Sequence, residues 1–188
     1  MPENNDTIQE KDIVRLKDKV FRLSFSEEFI LTAVQRVADR MNQELRDKNP
    51  LFLGMLNGAF VYAADLMRRI TIPAEISFVK FASYSGTSST GCTEQLIGLR
   101  ENLNGRTVVV VEDIVDSGYT MQQFTKYLHA HGVGEIYIST LLHKPDATKY
   151  PVRLDYVAME IPNDFIVGYG LDYEGYGRNL RGIYTLVE

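Results

Sequence analysis

The sequence predicts an α/β protein in which helices flank a central, mostly parallel sheet. Strand-like and helix-like segments alternate through the middle of the chain, an order typical of βαβ units. Residues 106–111 form a largely β-branched apolar run, which indicates a central strand that is buried on both faces. The length of 188 residues suits one domain with room for a small accessory lobe. We therefore interpret residues 1–188 as a single domain.

The N-terminal part of the chain predicts an arm followed by a helix. Residues 1–12 are polar and acidic, and we expect a flexible arm there. Ser26 is the predicted N-cap of the helix, which Asn49-Pro50 ends. The apolar residues of this helix recur at helical spacing: Phe29, Ala33, Val34, Val37, Met41 and Leu45.

Strands and helices then continue to alternate along the chain. We expect strands at residues 51–56, 74–82, 106–111, 135–142, 155–159 and 165–167, and helices at residues 59–69 and 121–131. Gly132 and Gly134 suit the end of the last helix. Residues 83–95 differ from all of these, because they are rich in Ser, Thr and Gly and lack aliphatic residues. They predict a long functional loop, with a plain solvated hairpin loop as the alternative.

Charge and cysteine content exclude several classes of protein. The net charge of −5 argues against binding of nucleic acid or of a membrane surface, which depends on clustered basic residues. It leaves room for a small anionic ligand, which needs only a local positive potential. The single cysteine, Cys92, excludes an intrachain disulfide and a zinc site with several thiolates.

The N-terminal residues do not resemble a secretion signal. They lack a basic segment followed by an apolar one, and no apolar run of the chain is long enough to span a bilayer. We therefore expect a cytoplasmic protein.

The candidate site follows the central strand, at the strand end where open parallel sheets bind ligands. Ser117, Gly118, Tyr119 and Thr120 form a small-residue turn that opens a helix. Free backbone N–H groups and the helix dipole at such a turn favour a phosphate. The P-loop pattern and the dinucleotide-binding glycine pattern are both missing here.

Carboxylates lie immediately before this turn, at Glu112, Asp113 and Asp116. Carboxylates suit ribose hydroxyls, a divalent cation or a proton. A phosphate cradle beside adjacent acids therefore predicts a sugar phosphate as ligand. The alternative is an ordinary strand–turn–helix corner with solvated acids.

The apolar run followed by EDIVDSGYT (112–120) resembles the signature of the type I phosphoribosyltransferases, which use 5-phosphoribosyl-1-pyrophosphate (PRPP). Other segments resemble the purine (hypoxanthine-guanine) branch of that family: LNGAFVYAADLMRR at 56–69, LLHKPD at 141–146 and DYVAMEIPNDFIVGYGLDYEGYGRNL at 155–180. The resemblance extends over most of the chain from Leu51 onward.

The resemblance implies the type I phosphoribosyltransferase fold, with a small hood lobe and a mobile lid loop at residues 83–95. It also implies purine salvage. In that reaction the 5-phosphoribosyl group passes from PRPP to hypoxanthine, or to guanine, and gives IMP or GMP and pyrophosphate.

The family likeness assigns roles to the residues around the turn. It implies that residues 116–120 bind the 5′-phosphate, and that Glu112 and Asp113 lie by the ribose hydroxyls and Mg²⁺. Asp116 resembles the family's general base near the purine N7, with a simple turn-capping aspartate as the alternative.

Three further positions resemble the residues that bind the base. Lys144 corresponds to a lysine that donates to the 6-oxo group, which would favour a 6-oxopurine over adenine. A solvated surface lysine is the alternative. Phe165 resembles the ring that stacks on the purine, and Ile166 the position whose backbone pairs with the base edge. Core packing is the alternative for Phe165.

The remaining assignments concern pyrophosphate. Asp172 resembles a magnesium ligand, beside Glu112 and Asp113, and Arg178 resembles a donor to the leaving group, with a surface salt bridge as the alternative. Ser83 and Tyr84 match lid positions that fold over pyrophosphate. Asn57 and Gly58 match a pyrophosphate-binding loop, in which many relatives carry Lys in place of Asn57.

The implied partners are therefore Mg²⁺, PRPP, a 6-oxopurine base, IMP or GMP and pyrophosphate, in a homodimer or homotetramer. A regulatory RNA-binding protein on the same fold is the alternative. The net charge of −5, Lys144 and the segment 165–178 weigh against it.

Overall fold

The computed structural model describes residues 12–84, 93–97 and 99–187. Its elements, in chain order, are β1 (Ile13–Leu16), β2 (Lys19–Phe25), α1 (Glu27–Glu44), β3 (Leu51–Met55), α2 (Phe60–Met67), β4 (Glu75–Tyr84), β5 (Thr93–Ile97), β6 (Thr107–Val115), α3 (Tyr119–Ala130), β7 (Glu135–His143), β8 (Tyr156–Glu160), β9 (Ile166–Val167) and β10 (Ile183–Leu186). A short 3₁₀ turn, Pro145–Ala147, follows β7.

A six-stranded sheet in the order β5-β4-β3-β6-β7-β8 forms the centre of the molecule. The pairs from β4 to β8 are parallel, and only β5 runs antiparallel to its neighbour. The central strands are buried on both faces, since Val109 and Val111 pack with α1 and α2 while Val108 and Val110 pack with α3. The predicted α/β fold with a mostly parallel sheet is confirmed.

Helix α1 begins where the sequence predicts. Ser26 Oγ accepts a hydrogen bond of 3.3 Å from the Phe29 N–H, which satisfies one of the free donors of the first turn. Of the apolar residues that recur at helical spacing, Phe29 is 53% exposed, whereas the others form a buried stripe. It lies at the edge of the stripe and stacks on Phe25, while Ile30 is the buried residue of that turn.

The turn after the central strand is shorter than predicted. Strand β6 continues to Val115 because its pairing with β7 continues to Val115 and His143. Helix α3 begins at Tyr119, two residues before the predicted start at 121, because Gly118 turns the chain with φ of 82°. Glu112 and Asp113 are consequently strand residues, with strand geometry to fix their positions.

A second sheet, in the order β1-β2-β10-β9, is antiparallel throughout and combines both ends of the described chain. We call it the hood sheet, since it corresponds to the hood lobe that the resemblance implies. The strand predicted at 165–167 exists as β9, but it belongs to this sheet and not to the parallel one. Strands β1, β2 and β10 had no counterpart in the predicted elements.

Two predicted segments fall largely outside the described residues. The arm at 1–12 is described only at Asp12. Of the lid predicted at 83–95, residues 85–92 lie outside the described chain, and both ends lie in strands, where the backbone of Ser83 pairs with that of Glu94. Among the helices that are described, none has both the length and the apolar character needed to cross a membrane.

Candidate active site

The predicted site residues converge at one edge of the central sheet. Strands β3, β4, β6 and β7 are parallel, so the segments that follow them leave the sheet on the same side. Asn57 and Gly58 follow β3, the turn of Asp116 follows β6, and Lys144 follows β7. The backbones of Ser83 and Tyr84 form the last part of β4 at this same edge.

The turn after β6 is held from behind by a neighbouring loop. The Ser117 carbonyl accepts hydrogen bonds from the N–H groups of Lys149 (3.0 Å) and Tyr150 (2.9 Å). A Cβ on Gly118 would lie only 2.4 Å from the Tyr150 carbonyl oxygen, so no larger residue fits this close approach. Sequence reasoning missed this support, because nothing local in residues 148–152 indicates what they contact.

The geometry of this turn leaves backbone donors for an anion. The first helical hydrogen bond of α3 runs from the Gln122 N–H to the Gly118 carbonyl, and Ser117 Oγ accepts from the Tyr119 N–H. The N–H groups of Thr120 and Met121 precede that first helical bond, and such groups lack intrahelical partners. They border a cleft of about 210 Å³ that residues 112–121 line. A cleft with these donors at a helix N-terminus suits a phosphate.

Glu112 and Asp113 form a crowded pair of carboxylates at the head of this cleft. Glu112 Oε1 accepts from the Asp113 N–H (3.1 Å), and Asp113 Oδ1 accepts from the Ile114 N–H (2.9 Å). Burial, together with the adjacent Asp113 charge, raises the pKa of Glu112 well above its usual range. The raised pKa means that Glu112 resists ionisation beside the Asp113 charge. A cation or a hydroxyl donor placed there would relieve that cost.

The loop after β3 packs directly against Asp113. A Cβ on Gly58 would lie 1.6 Å from Asp113 Oδ2, so the carboxylate occupies the space that any other residue would need. On its other side, Gly58 presents its carbonyl oxygen 2.1 Å from where a Cβ on Gly170 would lie. The peptide bond between Leu56 and Asn57 is cis.

Lys144 is buried beside Asp116 and does not lie on the surface, so the surface alternative for this lysine is wrong. The residue is 7% exposed, and its Nζ lies 3.9 Å from Asp116 Oδ2. Its N–H donates to the Val115 carbonyl (3.0 Å), which ties Lys144 to the end of β6. A buried ammonium needs a partner, and the half-exposed Asp116 carboxylate provides one that opens to solvent. A ligand with one acceptor and one proton could contact both side chains.

Phe165 is exposed although it precedes a buried strand. It is 46% exposed, so the core-packing alternative for this residue is wrong, whereas the next residue, Ile166, is buried in β9. The Phe165 ring rests on Phe21 and Tyr173 of the hood sheet and its adjoining loop, with ring centroids 6.1 and 5.9 Å away. An exposed aromatic side chain is thus available to a planar ligand.

Asp172 and Arg178 contact each other in a loop of the hood. Arg178 Nη2 lies 2.5 Å from Asp172 Oδ1, Arg178 Nη1 donates to the Gly170 carbonyl (2.7 Å), and Asp172 Oδ2 accepts from the Gly175 N–H (2.6 Å). In the described part of the chain, no three Asp, Glu, His or Cys side chains lie close enough to hold a metal. The structure therefore does not bring Asp172 together with Glu112 and Asp113 as a preformed set of ligands.

Comparison with known proteins identifies a family. Residues 26–174 match the model of the phosphoribosyl transferase domain. The hypoxanthine-guanine phosphoribosyltransferase of Streptococcus pyogenes is 35% identical over 174 residues, which are 92% of this chain and 97% of that protein. The protein of the same name from Mycobacterium tuberculosis is 42% identical over 137 residues, 72% of this chain and 68% of that protein.

Solved structures show the same architecture. A hypoxanthine phosphoribosyltransferase from Staphylococcus aureus matches with a TM-score of 0.82 at 31% identity, over 97% of this chain and 96% of that one. A hypoxanthine-guanine phosphoribosyltransferase from Bacillus anthracis matches with a TM-score of 0.80 at 33% identity, over 88% of this chain and 96% of that one.

The raised pKa of Glu112 predicts how replacement by glutamine changes stability with pH. Folded Glu112 retains its proton at pH values where the unfolded chain, with a carboxyl pKa of about 4.3, has lost it. This group's contribution to stability therefore falls as pH rises above that value. We expect the difference in unfolding free energy between Glu112→Gln and the unsubstituted chain to shift in favour of Glu112→Gln as the pH rises from about 5 to about 8. Urea unfolding in metal-free buffer measures it.

The exposed Glu28 provides the matched control. Glu28→Gln should differ from the unsubstituted chain by the same amount at both pH values, because Glu28 lies on the solvent side of α1. A pH-independent difference for Glu112→Gln as well would contradict the account of the carboxylate pair.

Proposed function

The chain belongs to the phosphoribosyltransferase family, and on that premise we propose that it acts in purine salvage. It transfers the 5-phosphoribosyl group from PRPP to hypoxanthine, and to guanine, and it releases pyrophosphate with IMP or GMP. The observation that carries this proposal is the arrangement at one edge of the central sheet. An anion-binding turn, a carboxylate pair and the Lys144–Asp116 pair converge there. Residues 1–188 are proposed to form a single phosphoribosyltransferase domain.

The turn after β6 binds the ribose phosphate part of the substrate in this proposal. The segment of residues 116–120 binds the 5′-phosphate, through the free backbone donors at the start of α3 and the hydroxyls of Ser117 and Thr120. Glu112 and Asp113 accept hydrogen bonds from the 2′- and 3′-hydroxyls. The crowding of that pair supports this role, because hydroxyl donors stabilise the ionised carboxylates.

The purine lies between Lys144 and the hood sheet. Lys144 donates to the 6-oxo group, Phe165 stacks on the ring, and the backbone of Ile166 contacts the base edge. The burial of Lys144 supports the first role, because a buried ammonium needs an acceptor such as the 6-oxo group. The 6-amino group of adenine is itself a donor and would leave the ammonium without an acceptor. The exposed ring of Phe165 supports the second.

Asp116 is the proposed catalytic base. As the purine N9 attacks C1′ and pyrophosphate leaves, Asp116 accepts the proton from N7. The Lys144 Nζ lies 3.9 Å from Asp116 Oδ2, so both side chains can contact the same base during this step.

The pyrophosphate end combines Asn57, Gly58, Asp172 and Arg178. Glu112 and Asp113 fit a divalent cation, because their carboxylates are close together. Among the described residues, no Lys or Arg side chain forms an ion pair with them. With Asp172, they are the side chains that would hold Mg²⁺, together with oxygens of the substrate. Bound Mg²⁺ would neutralise charge on the leaving pyrophosphate.

Of the four residues assigned to this end, Arg178 carries a positive charge, whereas Asn57 is neutral where many relatives carry Lys. Arg178 exchanges its contact with Asp172 for one with pyrophosphate. Residues 83–95 act as the lid, with Ser83 and Tyr84 over the pyrophosphate. Such a lid excludes water from C1′, which acquires positive character as the leaving group departs.

A side-by-side assay of bases tests the function. PRPP and Mg²⁺ are supplied with hypoxanthine, guanine, xanthine or adenine in turn, and nucleotide formation is followed by absorbance. We expect turnover of hypoxanthine and guanine, and little of adenine, because Lys144 offers only donors. Turnover of none of the bases would contradict the proposed function, and turnover chiefly of adenine would contradict the role of Lys144.

Asp116→Asn tests the catalytic base. We expect kcat to fall by about a hundredfold or more, because asparagine cannot accept the N7 proton. The KM for PRPP should change little, since the backbone donors of the turn remain. Asp146→Asn, at an exposed aspartate two residues beyond Lys144, is the control and should retain kcat. An Asp116→Asn enzyme with unchanged kcat would remove this residue from proton transfer.

We also propose that the enzyme is a cytoplasmic homodimer or homotetramer. An apolar patch supports association: Phe60, Ile76 and Phe78 are all exposed, and Phe78 packs beside Gly54 on the face that carries Ala63 of α2. Apolar exposure of this kind is typical of surfaces that another protein covers.

Ile76→Glu tests whether this patch joins the subunits. The charge should shift the protein toward monomer in sedimentation velocity, since it would be buried at the interface. Val187→Glu, which places the same charge on an exposed apolar residue outside the patch, should leave the oligomer intact. An oligomer that persists in Ile76→Glu would exclude this surface.

A further inference from the structure

The exposed Phe165 belongs to a small cluster of three aromatic rings, with Phe21 and Tyr173. Phe21 of β2 is fully buried, and its ring centroid lies 6.1 Å from that of Phe165 and 6.2 Å from that of Tyr173. Tyr173 meets Phe165 edge to face, with ring planes at 86° and centroids 5.9 Å apart. The orientation of the exposed Phe165 ring is therefore set by Phe21 below and Tyr173 beside it.

Tyr173 is itself fixed by the turn between β1 and β2. Its hydroxyl donates a hydrogen bond of 2.9 Å to Asp18 Oδ1, across 155 positions of sequence. The pKa of Asp18 is lowered chiefly by this hydrogen bond, and the same bond is the main cause that raises the pKa of Tyr173. Both shifts agree that the phenol donates to an ionised carboxylate.

A second contact fastens the same two segments. Lys17 pairs with Glu174, and its Nζ lies 5.1 Å from the centre of the Tyr176 ring. The turn of residues 17–18 thus holds the loop of residues 173–176 at two points. The Asp18 contact acts on Tyr173, whose ring touches Phe165, whereas the Lys17 contacts act on Glu174 and Tyr176.

We propose that Asp18 and Tyr173 are positioning residues for the purine, which they serve by holding the Phe165 ring in the orientation that stacks on the base. Neither residue touches the substrate. Their hydrogen bond fixes the plane of the Tyr173 ring, and the edge of that ring fixes the plane of Phe165. This inference rests on the proposed function, because it requires a base on Phe165.

The position of Tyr173 next to Asp172 provides a competing explanation that experiment can separate. If Tyr173 acted through Asp172, its loss would weaken binding of pyrophosphate and of PRPP. If it acts through Phe165, its loss weakens binding of the base and leaves PRPP binding intact. PRPP carries no base, so it reports on the first effect alone.

Tyr173→Phe, Asp18→Ala and Asp18→Asn test the inference in the full-length enzyme. In Tyr173→Phe and Asp18→Ala the KM for hypoxanthine should rise about five- to tenfold, the scale of one lost hydrogen bond. The KM for PRPP and kcat at saturating base should stay within about twofold. Asp18→Asn keeps an oxygen that accepts from the phenol, and it should restore the KM for hypoxanthine toward that of the unsubstituted enzyme.

Lys17→Gln is the matched control, since it removes the exposed ion pair on the same turn and should leave the KM for hypoxanthine within about twofold. Calorimetric titration adds a binding readout: IMP should bind more weakly to Tyr173→Phe, and PRPP with Mg²⁺ should bind equally well. An unchanged KM for hypoxanthine, or a rise in the KM for PRPP, would overturn the inference. An unsubstituted chain that turns over no base would overturn the proposed function and this inference with it.

Discussion

Two carboxylates, Glu112 and Asp113, lie side by side where β6 leaves the sheet, immediately before a turn whose N–H groups suit a phosphate. One short segment thus contains both two acidic side chains and a binding site for an anionic phosphate. This opposition is the constraint on which the rest of the site depends, because a sugar phosphate satisfies it when its hydroxyls and a cation meet the acids. It also accounts for an acidic chain, of net charge −5, that is suited to a polyanionic small molecule.

The surrounding scaffold keeps these groups close by removing side chains where segments meet. The Asp113 carboxylate occupies the space that a Cβ on residue 58 would need, and the Gly58 carbonyl occupies the space that a Cβ on residue 170 would need. The hood is also anchored to α2, since the Tyr169 hydroxyl donates to Asp65 Oδ2 at 2.6 Å. Close backbone packing therefore connects the loop after β3 with the hood loop that carries Asp172 and Arg178. A displacement of either loop would therefore alter the packing around the Glu112–Asp113 pair.

Local sequence features predicted the parts of the structure that depend on neighbours in sequence. The Ser26 cap, the buried β6 and the turn at Gly118 were all evident, because each follows from a few adjacent residues. The hood sheet was not evident, since β1, β2 and β10 are short strands whose pairing joins both ends of the chain. The exposure of Phe165 and its support by Asp18 and Tyr173 depend on contacts across more than a hundred positions, which no local pattern records.

The dependence of PRPP binding on Mg²⁺ tests most directly whether the carboxylate pair and the phosphate turn form one site. Calorimetric titration of PRPP is carried out with Mg²⁺ and again with a chelator. Binding should weaken at least about tenfold without the cation, since the acids then repel the pyrophosphate and the ribose phosphate together. Equal affinity under both conditions would show that Glu112 and Asp113 do not face the bound substrate, and it would contradict the account.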